Sequence, residues 1–276
     1  MTLSQLRRLA YHQNCVWLWQ KGGPADYMAL GVDKELSEVV CRQKVDIDPE
    51  FQLQKLATEK IEVISVFDSD FPPLLKEIKQ PPTLLYYQGQ RKLFGSGLVL
   101  AIVGTRKASG YGRSAVESLM CQMSEWGLLV VTGGAFGIDS VVTETALALG
   151  LPCAVVLGSG LQYKTPASNY SLFNKLQANG LILSEYLPWQ QAHRFNFPQR
   201  NRIISGMAQG TIVVEAPKKS GALITAEFAL EQNRNVGVVP GPINNPHWLG
   251  SNEFIKSGAA LITDVSDIKE LLGLPP

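Results

Sequence analysis

The stretch FPQRNRIISG, residues 197 to 206, sets Arg200 and Arg202 around Asn201, just behind Pro198 and ahead of an apolar run. If Pro198 opens a helix, both arginines fall in its first turn, where backbone N–H groups are unpaired and the dipole is positive. That placement is locally unfavourable unless an anion docks there. Two guanidinium forks beside free amides suit a carboxylate or a phosphate. Further cations stand near other apolar runs: Arg106 follows LVLAIV, and Lys218 and Lys219 follow TIVVEA. Ser220, Gly221 and Thr225 in KSGALITAE read as hydrogen-bonding neighbours at a helix start. Each cation alone is equally well explained by an ion pair to Glu185 or Glu215 or by a solvated face. Five of them at strand ends favour an anion groove.

The elements that must position these groups repeat from residue 98 onward. Short β-branched runs, LVLAIV (98–103), LLVVT (128–132), AVVLG (154–158), LILSE (181–185), TIVVEA (211–216) and VGVVP (236–240), alternate with helix-period segments. Near-continuous apolarity suits strands buried on both faces, and the alternation predicts a doubly wound α/β domain with a mostly parallel sheet. Ligands of such sheets sit outside the carboxyl ends of the strands. There the sequence has GTRKASGYG with Gly104, Thr105 and Arg106, then GGAFGID with Gly133, Gly134, Phe136 and Gly137, then GSG at 158–160. Such glycines let backbone amides approach an anion. Phe136, Tyr163 and Phe195 are the loop aromatics nearest this edge, candidates for stacking bases.

Residues 61 to about 97 read as a lead-in strand and prolines, and the first 60 as a small helical domain built on LRRLAYHQNCVWLWQ and FQLQKLATEK. We therefore expect a helical domain over 1–60 and the α/β domain over 61–276. The formal charge of +1 neither requires nor excludes nucleic acid. Cys15, Cys41, Cys121 and Cys153 are isolated and read as reduced, buried thiols, and no metal site, cofactor or catalytic residue is expected. No signal peptide or apolar run of membrane-spanning length is present, which points to a cytoplasmic protein. There is no G-x-x-x-x-G-K-[ST] and no G-x-G-x-x-G after the first strand, so a P-loop triphosphatase and a dinucleotide oxidoreductase are poorly supported.

Taken in order, GTRKASGYG, GGAFGID, FPQRNRIISG, VVEAPKKSGALITAEFAL, VPGP and GSNEFIKSGA resemble the DNA processing protein A (DprA/Smf) family, over about residues 61 to 265. The resemblance implies an extended Rossmann-like domain that binds single-stranded DNA, forms homodimers, and loads the recombinase RecA during natural transformation. DNA contacts are then expected at the strand-end residues named above and at Asn169 in TPASN, with phosphates meeting Arg106, Arg202 and Lys219, which are expected to carry binding rather than folding. Two departures stand out: Thr143 where members often carry a histidine after G-I-D, and Thr165 before Pro166 where they commonly read Y-P. The chain ends in DIKELLGLPP, so the winged-helix domain that many members append is expected to be missing. Phe254, Ile255, Leu261 and Ile262, in an expected edge strand and the helix before it, are candidates for a two-fold dimer interface. Two other functions fit a phosphate-binding rim. One is a nucleotide phosphoribohydrolase, although KSGALITAE lacks that family's glycine pair and sets Thr225 and Glu227 two apart. The other is a sensor of a small nucleotide signal.

Overall fold

Two of the early helices begin on proline, whose fixed φ and missing N–H suit the first helical position. These are α1 (Pro24–Ala29) and α3 (Pro49–Thr58), with α2 (Lys34–Asp46) between them. The structure, a computed structural model, describes residues 21–46 and 48–275. The chain separates into two compact units, Met1–Ile61 and Glu62–Pro276. The stretch LRRLAYHQNCVWLWQ lies outside the described residues, whereas FQLQKLATEK falls on α3 as its periodicity predicts. Asp48 caps α3 by accepting from the Glu50 and Phe51 amides, and the small core of this unit gathers around Tyr27 and Val32.

The larger unit holds a nine-stranded sheet. Each of the six apolar runs supplies one strand: β3 (Val99–Val103), β4 (Leu129–Thr132), β5 (Cys153–Val156), β6 (Leu181–Ser184), β7 (Gly210–Val213) and β8 (Asn235–Val238). Strands β1 (Glu62–Ser65) and β2 (Leu84–Gly89) pair antiparallel and extend one edge, and the two-residue β9 (Ala260–Leu261) closes the other. The spatial order is β1-β2-β6-β5-β4-β3-β7-β8-β9, with every pair from β6 to β9 parallel. All residues of β3 through β7 are buried, as expected for strands covered on both faces.

The helices of this unit are α4 (Pro73–Glu77), α5 (Gly110–Gln122), α6 (Ile138–Leu149), α7 (Tyr170–Leu176), α8 (Asn196–Met207), α9 (Gly221–Glu231), α10 (Leu249–Lys256) and α11 (Val265–Leu271). From β3 the chain steps through α5 toward β4, and from β7 it steps through α9 toward β8, in the opposite direction. Right-handed crossovers going opposite ways place their helices on opposite faces of the sheet. The strand order therefore reverses between β3 and β7. Beyond their carboxyl ends the two following loops part, leaving the crevice where an open α/β sheet binds ligands.

Candidate nucleic-acid interface

A cavity of about 530 Å³ occupies that crevice. Its charged lining is Arg106, Arg194 and Arg200 against one acid, Asp139. Ser220, Gly221 and Thr225 at the start of α9 border the same space. A smaller pocket of about 160 Å³ shares Arg106, Phe197 and Arg200 with it and adds Phe136 and Pro166. Both volumes are of the order of a small-ligand site or a subsite within one, roughly 300–1,000 Å³ for a full pocket.

Helix α8 starts at Asn196, two residues before Pro198, so the arginines lie in its second turn and not its first. Residues two apart on a helix point to different faces. Arg200 turns toward the sheet and is 5% exposed. It donates to the Gly133 carbonyl (2.6 Å), the Val156 carbonyl and Asn201 Oδ1 (3.1 Å), tying together the carboxyl ends of β4 and β5. Burial lowers its guanidinium to about 10, opposed by the nearby Asp139 carboxylate, so it stays charged at neutral pH. Burial in turn raises the Asp139 carboxyl, against the pull of Arg200 and an amide hydrogen bond from Ala135. Asn201 lines the cavity and braces α8 to α9 by donating to the Gly221 carbonyl at 3.1 Å.

Arg202 does not reach this cavity. Its Nη2 donates to both oxygens of Glu185, at 2.7 and 2.6 Å, with the side chains 11% and 28% exposed. It borders a separate groove with Lys79, Phe228 and Gln232. Arg202, expected as a leading DNA contact, is thus set apart from the cavity's arginines, with its charge paired to Glu185. Lys218 is exposed and paired with Glu253, while Lys219, exposed at φ 60°, lies beside the cavity's Ser220 without lining it. Ser220 caps α9, accepting from the Ala222 amide.

Arg106 is exposed and its guanidinium stacks over the Phe197 ring at 5.4 Å from the centroid. The two side chains form the wall between the larger and smaller pockets. Phe197, together with Arg194, was not among the sequence candidates, which favoured Phe195. The usable signal was F-x-x-R: a ring three residues before Arg200 shares its helix face. Phe195 instead is 69% exposed and carries Arg194 against its own ring at 4.7 Å. Phe136 lines the smaller pocket and is half exposed, and Tyr163, also part exposed, does not line either pocket.

Most of the strand-end glycines serve packing. A Cβ at Gly104 would lie 2.5 Å from Ile138, one at Gly133 would meet Asp139 and Arg200 at 2.7 and 2.9 Å, and one at Gly134 would meet Val155 at 2.5 Å. Gly137, at φ 78°, abuts the Thr105 carbonyl, where a Cβ would sit 2.2 Å away. Of the glycines expected to offer amides to an anion, Gly104, Gly133 and Gly221 border a pocket, whereas Gly134 and Gly137 border neither. Thr105 is buried, with its N–H on the Glu215 carbonyl and its own carbonyl taken by Ile138 N–H. Asn169 is also internal, donating to the Gly134 carbonyl and Ser140 Oγ.

At the far edge, Leu261 of β9 is 47% exposed, and Phe254 and Ile255 of α10 are half-buried. Ile262 is 1% exposed, its side chain against Gly237 and its N–H on the Val238 carbonyl, so it belongs to the core and not to an outer face. Cys153 is buried and Cys41 half-buried, but Cys121 is exposed, contrary to the expectation of four buried thiols; Cys15 lies outside the described residues. Among the described residues no helix is long and apolar enough to cross a membrane.

The family model described as DNA recombination-mediator protein A matches residues 62–273. Protein Smf of Synechocystis sp. is 34% identical over 278 residues, covering 98% of this chain and 69% of that protein. The X-ray structure of DNA processing protein A (DprA) from Streptococcus pneumoniae superposes with a TM-score of 0.84 at 32% identity, covering 98% of this chain and 93% of that one. A structure of DNA processing protein A from Helicobacter pylori, whose subject is its single-stranded DNA binding mode, superposes at 0.69 with 28% identity over 77% of this chain and 95% of that one.

Proposed function

The chain belongs to the DNA recombination-mediator protein A family, and from that premise we propose that it binds single-stranded DNA across the crevice between β3 and β7. The observation that carries this is the cavity's composition: three arginines face one aspartate, and one of the exposed arginines, Arg106, sits over an aromatic ring. An excess of two positive charges in a concave site calls for an anion with more than one charge along its length, which a phosphodiester chain supplies. The Arg106–Phe197 wall offers a stacking surface that an unpaired base can use and a base inside a duplex cannot. The H. pylori relative is described as binding single-stranded DNA, and the present chain shares its fold.

Binding rather than catalysis is the activity. Asp139 is engaged by Arg200 and the Ala135 amide, and Glu227, the acid that the phosphoribohydrolase alternative requires, is exposed and does not line the cavity. In the cell the bound strand is handed to the recombinase RecA in the cytoplasm during natural transformation, in keeping with the mediator role after which the family is described. A homodimer joined at the β9 edge sets two such sites on one strand and raises the effective concentration of the second. The half-exposed Leu261 on an edge strand supports this surface.

Fluorescence anisotropy tests the proposal, with labelled single strands, duplexes of the same sequence, and nucleoside monophosphates as competitors, free base being monitored by chromatography. Preference for the single strand, weak competition by monophosphates and no base release are expected. Equal affinity for duplex, or steady release of base, contradicts it.

A further inference from the structure

Glu215 follows β7 and is fully buried, yet it makes no ion pair with any arginine of the cavity. Its carboxylate reaches across to the loop after β3. Oε2 accepts from the Ser109 amide at 3.0 Å and the Ser109 hydroxyl at 2.8 Å, and Ser109 Oγ in turn accepts from the Gly112 amide at 3.0 Å, capping α5. The other oxygen, Oε1, has no hydrogen bond, His247 Nδ1 being 3.9 Å away. The backbone repeats the tie: the Glu215 carbonyl accepts the Thr105 amide at 2.7 Å. The acid fits only because residue 112 is glycine, since a Cβ there would stand 2.4 Å from Oε2. Residues 105 and 109 are thus clamped to one residue of the neighbouring strand's loop, and Arg106 rides between the two clamps.

We propose that Glu215 is a positioning residue for DNA binding, acting through Arg106. The inference rests on the proposed DNA site. A buried carboxylate whose hydrogen bonds all come from one uncharged residue is a poor source of stability, because desolvation offsets much of what those bonds contribute. What the arrangement supplies is a fixed origin for the Arg106 side chain. Arginine has many rotamers, and ordering them on binding opposes affinity; a loop already fixed, with the guanidinium stacked on Phe197, reduces that opposition. The two simplest ideas about Glu215 differ in sign. Removing a negative charge near DNA strengthens binding if the residue acts only through its charge, and weakens it if the residue positions Arg106.

The experiment is a set of single-strand DNA titrations across salt concentrations, with melting temperature measured alongside, on Glu215→Gln, Ser109→Ala, Arg106→Ala and the doubles with Arg106→Ala. Positioning predicts that Glu215→Gln and Ser109→Ala each weaken binding roughly tenfold. It also predicts that each lowers the salt slope by about 0.7, the share of one single-strand phosphate, and costs nothing more once Arg106 is gone. Binding that is unchanged or tighter in both variants overturns it, as does a loss fully additive with that of Arg106→Ala. If Glu215→Gln does not fold, Ser109→Ala, half-buried at the loop's end, decides the matter alone. Should Arg106→Ala weaken binding while neither clamp variant does, the inference falls and the DNA site stands. Should Arg106→Ala leave binding intact, both fall.

Discussion

Replacing Arg202 by methionine separates structure from binding inside the RNR sequence. The guanidinium is 11% exposed and meets both Glu185 oxygens at 2.6 and 2.7 Å, so its loss strands an acid that the fold has partly dehydrated. Breaking a buried pair costs about 3–5 kcal/mol. Glu185 is 28% exposed, and water screening of the stranded acid reduces this to about 2–3 kcal/mol. Arg202 Nε and Nη1 are buried without a protein acceptor, so removing them relieves part of the loss and favours the lower end, about 2 kcal/mol. For a unit of the size of residues 62–276 that is a fall in melting temperature of about 4–8 °C. Methionine keeps the stem's volume, which limits any cavity contribution. Calorimetry reads the shift, and anisotropy on the same sample below its transition reads single-strand affinity, expected within about twofold of the parent. A tenfold loss of affinity at an unchanged melting temperature would refute the assignment of Arg202 to the fold.

Other expectations follow from the same geometry. Phe197→Ala removes the ring under Arg106 and is expected to weaken single-strand binding by about 1–3 kcal/mol, the worth of a stacked base, leaving duplex binding nearly unmoved; parallel loss for both forms argues against stacking. Burial pushes the Cys153 thiol up to about 12, so at pH 8 about one in ten thousand is ionised, whereas Cys121 is exposed. Peptide mapping after iodoacetamide treatment of native protein should find Cys121 alkylated and Cys153 untouched until the protein is unfolded. Leu261→Asp places a charge on the exposed edge strand and should shift a dimer toward monomer in light scattering without lowering the melting temperature, while a dimer that survives it lies on another surface.

The strands were legible because a strand buried on both faces carries its signature in its own residues. The six apolar runs locate all the strands from β3 to β8, to within one residue at their starts and three at their ends. Side-chain destinations were not, since they depend on partners far along the chain. Arg200 and Arg202 look alike in sequence, and only Glu185 and the carbonyls of Gly133 and Val156 distinguish them. The glycines of the GTRKASGYG and GGAFGID loops look like an anion cradle. Their neighbours, Ile138, Val155 and Arg200, show that they chiefly make room for side chains. Ile262 was misplaced because β9 has two residues, too few for alternation to say which side faces in. Phe197 could have been found, since the F-x-x-R spacing by itself places ring and cation on one face of a helix.

The most direct test of DNA binding at the β3–β7 crevice is the salt dependence of single-strand affinity for the parent protein and for Arg106→Ala, measured under identical conditions. Log affinity should fall linearly with log salt for both, the variant should bind roughly tenfold or more weakly at low salt, and its slope should be shallower by about 0.7, the share of the one phosphate that Arg106 neutralises. Affinity that ignores salt, or an Arg106→Ala line that coincides with the parent's, would place the DNA somewhere other than this cavity.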